Sequence, residues 1–377
     1  MKRFLIACAL ALCTGVVYAD PPRPPTVPAK SWVLFDLAGN QQLASQGADT
    51  RIDPGAMAQL MTVYVALTEV RAGDLSLDKE ITPSKAALQA AKGGGASLYL
   101  AENQPVKVTT LLDGVAVLGA NDAAVALAEA TSGNEAGFVE LMNAEARRLG
   151  MTGTVFKNAS GISVTGQYST VRDIAILSTA LVRVFPQDYA RFAQKTFSYR
   201  NIVQQNRNRL LWLDPSADGL ADADVRVGGN QLAASAVRGP RRLVVVVSGA
   251  QSRSQASQSA QQLLNFGFQR YDAIKLYAAN TPVRTLTVWK GASREVRAGF
   301  LRDLVVAVPR DEADSLKLQF VGREPMIAPL AVGDRVGSLR VTLEGRTLAE
   351  YPVVALDAVP PAGWLGRAWD QLRIWLK

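Results

Sequence analysis

Arg51-Ile-Asp-Pro-Gly-Ala-Met-Ala-Gln-Leu-Met-Thr-Val-Tyr-Val-Ala-Leu67 is the stretch on which the fold turns. Asp53 can accept hydrogen bonds from a first helical turn, and Pro54 supplies that turn's φ with no N–H to lose. Met57, Leu60, Met61, Tyr64, Val65 and Leu67 then recur at helical spacing until Gly73. The apolar face is wide, so this helix is expected to be buried.

Upstream, Ser31–Asp36 and Gln41–Ala44 flank Gly39-Asn40 as a β-hairpin. Downstream, helices are expected over 108–118, 122–131, 134–149 and 170–184. The period then changes. Gln231–Val237 and Arg242–Ser248, joined by Arg238-Gly-Pro-Arg241, read as an antiparallel hairpin. Its Val244–Val247 run implies burial on both faces. A helix over Ser252–Leu264 closes this unit. From about Ala273 strands predominate: Thr285–Trp289, Leu304–Val308, Leu316–Phe320, Leu339–Leu343 and Tyr351–Leu356. The fold class is α+β, an antiparallel sheet with helices, then a small all-β domain and a C-terminal amphipathic helix. The expected segments are a signal peptide (1–19), a Pro-rich arm (20–30), a main domain (31–272), a β domain (273–358) and the tail (359–377).

The length of 377 residues supports two domains, and 48% hydrophobic with 20% charged residues is the balance of a globular core rather than disorder. There is no histidine. Ser-His-Asp and Cys-His nucleophiles and histidine-ligated zinc are therefore excluded. Both cysteines, Cys8 and Cys13, lie in the apolar run between Lys2-Arg3 and Val17-Tyr-Ala19, which has the form of a signal peptide. A chain starting at Asp20 would carry neither residue type, leaving no thiolate metal site or disulfide; no metal and no cofactor are expected. Its modest basic excess, without interleaved aromatics, gives no sign of nucleic-acid binding.

In the tail, Trp364, Trp369 and Trp375 share a helical face with leucines, while Arg367, Arg373 and Lys377 lie on the other. That pattern suits a helix lying in a membrane interface.

The order of hairpin, Asp-Pro-initiated helix, Gly95-Ala-Ser-Leu98 loop and β-hairpin closely resembles the D-alanyl-D-alanine carboxypeptidase family, the low-molecular-mass penicillin-binding proteins. The resemblance includes Leu60-Met-Thr62, Asn121-Asp122, Gly166-Gln-Tyr-Ser-Thr170, Asn206-Arg-Asn208, Leu211-Trp212 and Gly267-Phe268. It implies a penicillin-binding-protein/β-lactamase-like domain, a peptidoglycan stem peptide or cell-wall synthesis proteins as partners, and a periplasmic protein held on the outer face of the inner membrane.

Family members act through Ser-x-x-Lys, Ser-x-Asn and Lys-Thr-Gly. The resemblance puts Ala56 and Gln59 at the first serine and lysine, Gly119 and Asn121 at the second motif, and Ala221, Asp222 and Ala223 at the third. A methyl cannot attack a carbonyl, and an amide takes no proton near neutrality. An arginine that assists carboxylate binding falls near Ala256. Only Asn121 survives as a candidate substrate contact, and Asp222 sets an anion where the family binds a carboxylate. The expectation is a pseudoenzyme, with residual hydrolysis by an unusual nucleophile such as Ser97 or Tyr99 as the alternative. A third reading assigns the function to the β domain and tail.

Ser76-Leu-Asp-Lys79 and Ser132-Gly-Asn134 match two motifs literally but out of frame. Asp222 and Asp224 share a strand face, which reads as solvated edge charge, with Arg226 available to neutralise one of them.

Overall fold

A computed structural model of the protein describes residues 22–363. The expected signal peptide and the tail residues Trp364, Arg367, Trp369, Arg373, Trp375 and Lys377 lie outside the described residues.

The opening hairpin is β1 (Ser31–Asp36) and β2 (Gln41–Gln46). The decisive stretch differs from expectation in its first turn. Asp53 Oδ1 accepts the Gly55 N–H at 3.0 Å, and Gly55 has φ +51°. This left-handed step leads into a 3-10 turn, Gly55–Ala58, and only then into α1 (Gln59–Ala72). Asp53 thus caps the turn instead of the α-helix. Gln59 through Leu67 are buried, as the wide apolar face requires, and Gly73 ends the helix in a left-handed conformation.

A two-strand pairing of β3 (Glu80–Ile81) with β4 (Val106–Lys107) brackets α2 (Lys85–Ala90). The helix expected over 108–118 is two pieces, α3 (Val108–Asp113) and a wider π-type turn, Gly114–Leu118. The wider turn ends at Gly119, φ +69°, and such turns often mark functional sites. Then follow α4 (Asn121–Ser132), α5 (Glu135–Leu149) capped by Asn134, and α6 (Val171–Val184) capped by Thr170.

A hairpin of β5 (Thr196–Tyr199) and β6 (Ile202–Gln205) and the short α7 (Leu210–Leu213) carry no strong sequence signal. The second hairpin has grown: β7 (Ala217–Val225), β8 (Gly229–Arg238) and β9 (Arg241–Ala250) pair in series. After them, α8 (Arg253–Arg270) runs six residues past the expected Leu264. Gly267 lets it lie close to the sheet, because a Cβ there would sit 2.6 Å from Leu243 Cδ1.

These strands make an antiparallel sheet ordered β2-β1-β9-β8-β7. Val33, Ala233, Val244 and Val246 enter the core built with α1, α4, α5 and α6, while Trp32, Leu34, Val245 and Val247 enter the α8 side. Both faces of the valine run are therefore buried, each side chain contributing roughly 1.5–3 kcal/mol.

The remaining strands are β10 (Tyr271–Tyr277), β11 (Pro282–Trp289), β12 (Glu295–Gly299), β13 (Leu304–Pro309), β14 (Leu316–Gly322), β15 (Met326–Ile327), β16 (Arg335–Leu343) and β17 (Arg346–Ala355). The chain divides into two units, residues 24–276 with 304–310, and residues 277–303 with those from 311 on. Leu304–Val308, read in the sequence as part of the β domain, instead falls with the larger unit. Within it β13 pairs with β10, and its Ala307 N–H donates to Gln41 Oε1 at 3.2 Å. The smaller unit is an all-β sheet ordered β14-β16-β17-β12-β11-β15. Among the described residues no helix is long and apolar enough to cross a membrane.

Candidate functional site

The turn carrying Ala56, the step Gly119–Asn121 and the edge strand β7 meet around a cleft of about 440 Å³, which Ala56, Gly119, Asn121, Asp222 and Ala223 help to line. The turn is held from outside by the loop at Gly161, where a Cβ would lie 2.0 Å from the Gly55 carbonyl oxygen. Only glycine permits that approach. Ala56 presents a half-buried methyl at the head of the cleft.

Gln59, three residues on, is 2% exposed. Its Nε2 faces three acceptors: Asn121 Oδ1 at 2.9 Å, the Ser160 carbonyl at 2.8 Å and the Gly119 carbonyl at 3.1 Å. An amide nitrogen has two protons for these three oxygens, whereas an ammonium has three. Its own Oε1 is buried without a partner. The socket fits a three-proton donor better than the amide it holds, and an unpartnered buried carbonyl carries a cost of about 1–3 kcal/mol. Asn121 spans the same region, donating from Nδ2 to the Gly94 carbonyl at 2.6 Å. Gly119 offers no hydroxyl; a Cβ built there would be 3.9 Å from Gln59 Oε1 and 4.0 Å from the Ala56 methyl.

On β7, Ala223 packs inward at 2% exposure and Ala221 is half-buried. Asp222 is neither a solvated edge charge nor a partner of Arg226. Its side chain is 9% exposed and Arg253 Nε donates to its Oδ2 at 2.8 Å, with Arg207 Nε 3.8 Å from Oδ1. Arg253 also reaches Asp224, at 3.6 Å. The reason is topological, since α8 begins three residues after β9 and delivers Arg253 beside the edge strand. Burial pushes the Asp222 carboxyl up to about 6, with Arg207 pulling the other way and Asp224 adding to the rise. Ala256, where the family arginine was expected, is 1% exposed in the apolar core under α8, so no guanidinium could sit there without being buried. The arginines lining the cleft are Arg207 and Arg226, and Arg253, one turn before Ala256, reaches Asp222.

Ser97 does have a carboxylate within reach, Asp122 Oδ2 at 2.7 Å. Asp122 is fully buried and also accepts from the Leu98, Leu100 and Ala123 N–H groups. That arrangement commits the carboxylate to pinning the 97–100 loop. Tyr99 is 57% exposed, and neither it nor Ser97 lines the cleft. The hydroxyls that do, Ser160 and Ser163, have no carboxylate or amine partner among the described residues. Lys79 Nζ donates to the Ala130 carbonyl and Ser132 Oγ to Ala128 and Asn134 carbonyls, so both literal motif matches serve local structure. Among the described residues no cluster of acidic side chains is suited to a metal.

Arg207, Arg226, Arg253 and the Ser160 carbonyl are site groups that the motif positions did not supply. Arg207 lay in the quoted Asn206-Arg-Asn208 stretch; a backbone carbonyl leaves no sequence signal at all.

The family model described as D-alanyl-D-alanine carboxypeptidase matches residues 18–252, and that of the penicillin-binding protein 5 C-terminal domain matches residues 271–361. The chain is 34% identical to the D-alanyl-D-alanine carboxypeptidase DacC of Escherichia coli, over 92% of this chain and 88% of the relative. It is 30% identical to DacA of the same organism, over 99% and 96% of the two chains. The crystal structure of penicillin-binding protein 5 from Haemophilus influenzae superimposes with a TM-score of 0.84 at 29% identity, covering 90% of this chain and 99% of that one. With that similarity across both units and the motif positions gathered in one cleft, the chain belongs to the D-alanyl-D-alanine carboxypeptidase family.

Proposed function

We propose that this family member is catalytically inactive and serves peptidoglycan metabolism as a binding or scaffolding protein. The observation that carries the reading is the pair at the head of the cleft, a methyl at Ala56 and an amide at Gln59, where the family's nucleophile and base would act. Loss of a catalytic serine in a serine hydrolase costs on the order of 10⁶ in turnover. The occupied arginines support the same reading. Asp222, held by Arg253 at 2.8 Å, fills with an internal carboxylate the region where the family receives the terminal carboxylate of its peptide.

Under this proposal the chain is exported, begins near Asp20 and is attached to the outer face of the inner membrane through Trp364, Trp369 and Trp375, with Arg367, Arg373 and Lys377 toward the headgroups. The cleft remains open to a stem peptide without cleaving it. Incubating the chain from Asp20 to Lys377 with a pentapeptide ending in D-alanyl-D-alanine tests this: no D-alanine is released above the uncatalysed rate. Release at a rate typical of an enzyme would sink the reading.

A further inference from the structure

The β unit contains a gap that its own strands leave unfilled. β11 pairs with β12 along residues 282–287 on one side, and on the other only Val288 and Trp289 are paired, with β15. β14 pairs with β16 and carries no strand on its far edge among the described residues. A cavity of about 560 Å³, a size common for ligand sites, lies along the open part of β11 and reaches Phe320 and Gly322 of β14. Four consecutive residues of β11, Arg284 to Thr287, line it. A cavity on a strand's face would touch alternate residues, so this one runs along the edge of β11.

The backbone there is available. Arg297, opposite Thr285, gives its carbonyl to the Leu356 N–H on the β17 side, so Thr285 and Arg297 do not bond each other. The alternation of an antiparallel ladder therefore turns the Thr285 N–H and C=O into the gap. Across it stands Phe320 of β14, with the Arg284 guanidinium 5.8 Å from its ring centroid. The gap is closed at one end by the Arg323–Met326 connection and β15.

The sheet sets the relative direction of its two open edges. Four successive antiparallel pairings, β14 to β16, β16 to β17, β17 to β12 and β12 to β11, make β14 and β11 run the same way. A single strand inserted between them therefore has the same sense relative to both, antiparallel to each or parallel to each. It would close the sheet on itself.

We propose that the gap between β11 and β14 is a peptide site that takes an extended, acidic segment of another protein as an added strand. This does not depend on whether the cleft of the larger unit is catalytically inert. The occupant's charge follows from the walls: Arg284 and Arg323 are exposed, neither has an ion-pair partner among the described residues, and Glu324 alone opposes them. Lys317 adds a further cation on β14. Such charges repel the same edge of a second copy, a common way of keeping sheet edges apart, while attracting an acidic strand. The main chain would supply affinity, and the arginines would select the partner.

The test uses the chain from Asp20 to Lys377 and a fluorescent, capped heptapeptide, Thr-Glu-Val-Glu-Val-Glu-Thr. Expected results are saturable binding, amide NMR shifts centred on Thr285 and Phe320, and at least tenfold weaker binding for Arg284→Glu with Arg323→Glu. A peptide with proline at its central glutamate should bind at least tenfold more weakly, since proline removes a ladder donor. Thr285→Pro, which removes the outward N–H at an exposed site, should do the same without reversing any charge. Equal binding of the lysine-for-glutamate peptide, or shifts confined to the larger unit, would overturn the proposal. So would self-association of the protein abolished by Arg284→Glu, which assigns the edge to a second copy. Tighter binding to a chain ending at Gly363 would assign it to the chain's own tail.

Discussion

Gln59 Nε2 and Asn121 Oδ1 lie 2.9 Å apart, joining the helix that should carry the base of the reaction to the one surviving polar residue of the second motif. The contact ties the first motif position to the second. Asn121 still ties α4 to the glycine loop, and an amide now sits in a socket of three oxygens.

Replacing Gln59 by leucine would leave the Gly119 and Ser160 carbonyls and Asn121 Oδ1 without their donor. The expected cost is about 2–4 kcal/mol, read as a lowered denaturant midpoint of the larger unit. Gln59→Lys should cost less than the leucine, because a third proton answers the third acceptor. A leucine variant as stable as the parent would show that these bonds contribute nothing.

Arg253→Ala strips a buried carboxylate of its nearest cation and should destabilise by about 2–4 kcal/mol. Adding Asp222→Ala should restore much of that loss, since the orphaned charge goes with it. A double-mutant cycle measures the coupling; additive effects would mean the 2.8 Å contact is not an energetic unit.

The Asp222 carboxyl, pushed up to about 6 by burial, should also mark the pH profile. Unfolded, it titrates near 3.9. Between roughly pH 4 and 6 the folded chain keeps a proton that the unfolded chain has released, so this group's contribution falls as pH rises and is gone above about 6. Relative to the parent, Asp222→Asn should therefore gain stability from pH 4 to 7. A constant difference across that range would show that burial does not raise this group.

Gly161→Ala should be among the costlier single-methyl additions in the chain, about 2–4 kcal/mol. Its Cβ would lie 2.0 Å from the Gly55 carbonyl oxygen, and glycine there has φ +76°. Thermal unfolding measures the loss, and a crystal structure of the variant should show the Ala56 turn displaced. An unchanged midpoint would mean the turn yields freely.

The sequence announced the parts of the fold that rest on local chemistry. The helices expected from 134 and 170 start there, capped by Asn134 and Thr170, and the valine run Val244–Val247 is buried on alternating sides. It misplaced features set by tertiary geometry. Nothing local at Gly114–Leu118 distinguishes a π-type turn from an α-helix, and nothing near Asp222 foretells Arg253, thirty-one residues away. Asp222 read as solvated because an edge strand usually is; Arg253, at the start of α8, reaches it instead. The positions of Ala56, Gln59 and Asn121 came from spacing within a resemblance, which no composition argument would have supplied.

The most direct measurement is covalent labelling of the chain from Asp20 to Lys377 with a fluorescent penicillin, followed by denaturation and mass analysis. An acyl-enzyme needs a nucleophilic hydroxyl, and the head of the cleft holds the Ala56 methyl beside an amide. No adduct should survive denaturation. A stoichiometric, denaturation-resistant adduct mapped to a hydroxyl in the cleft would contradict it.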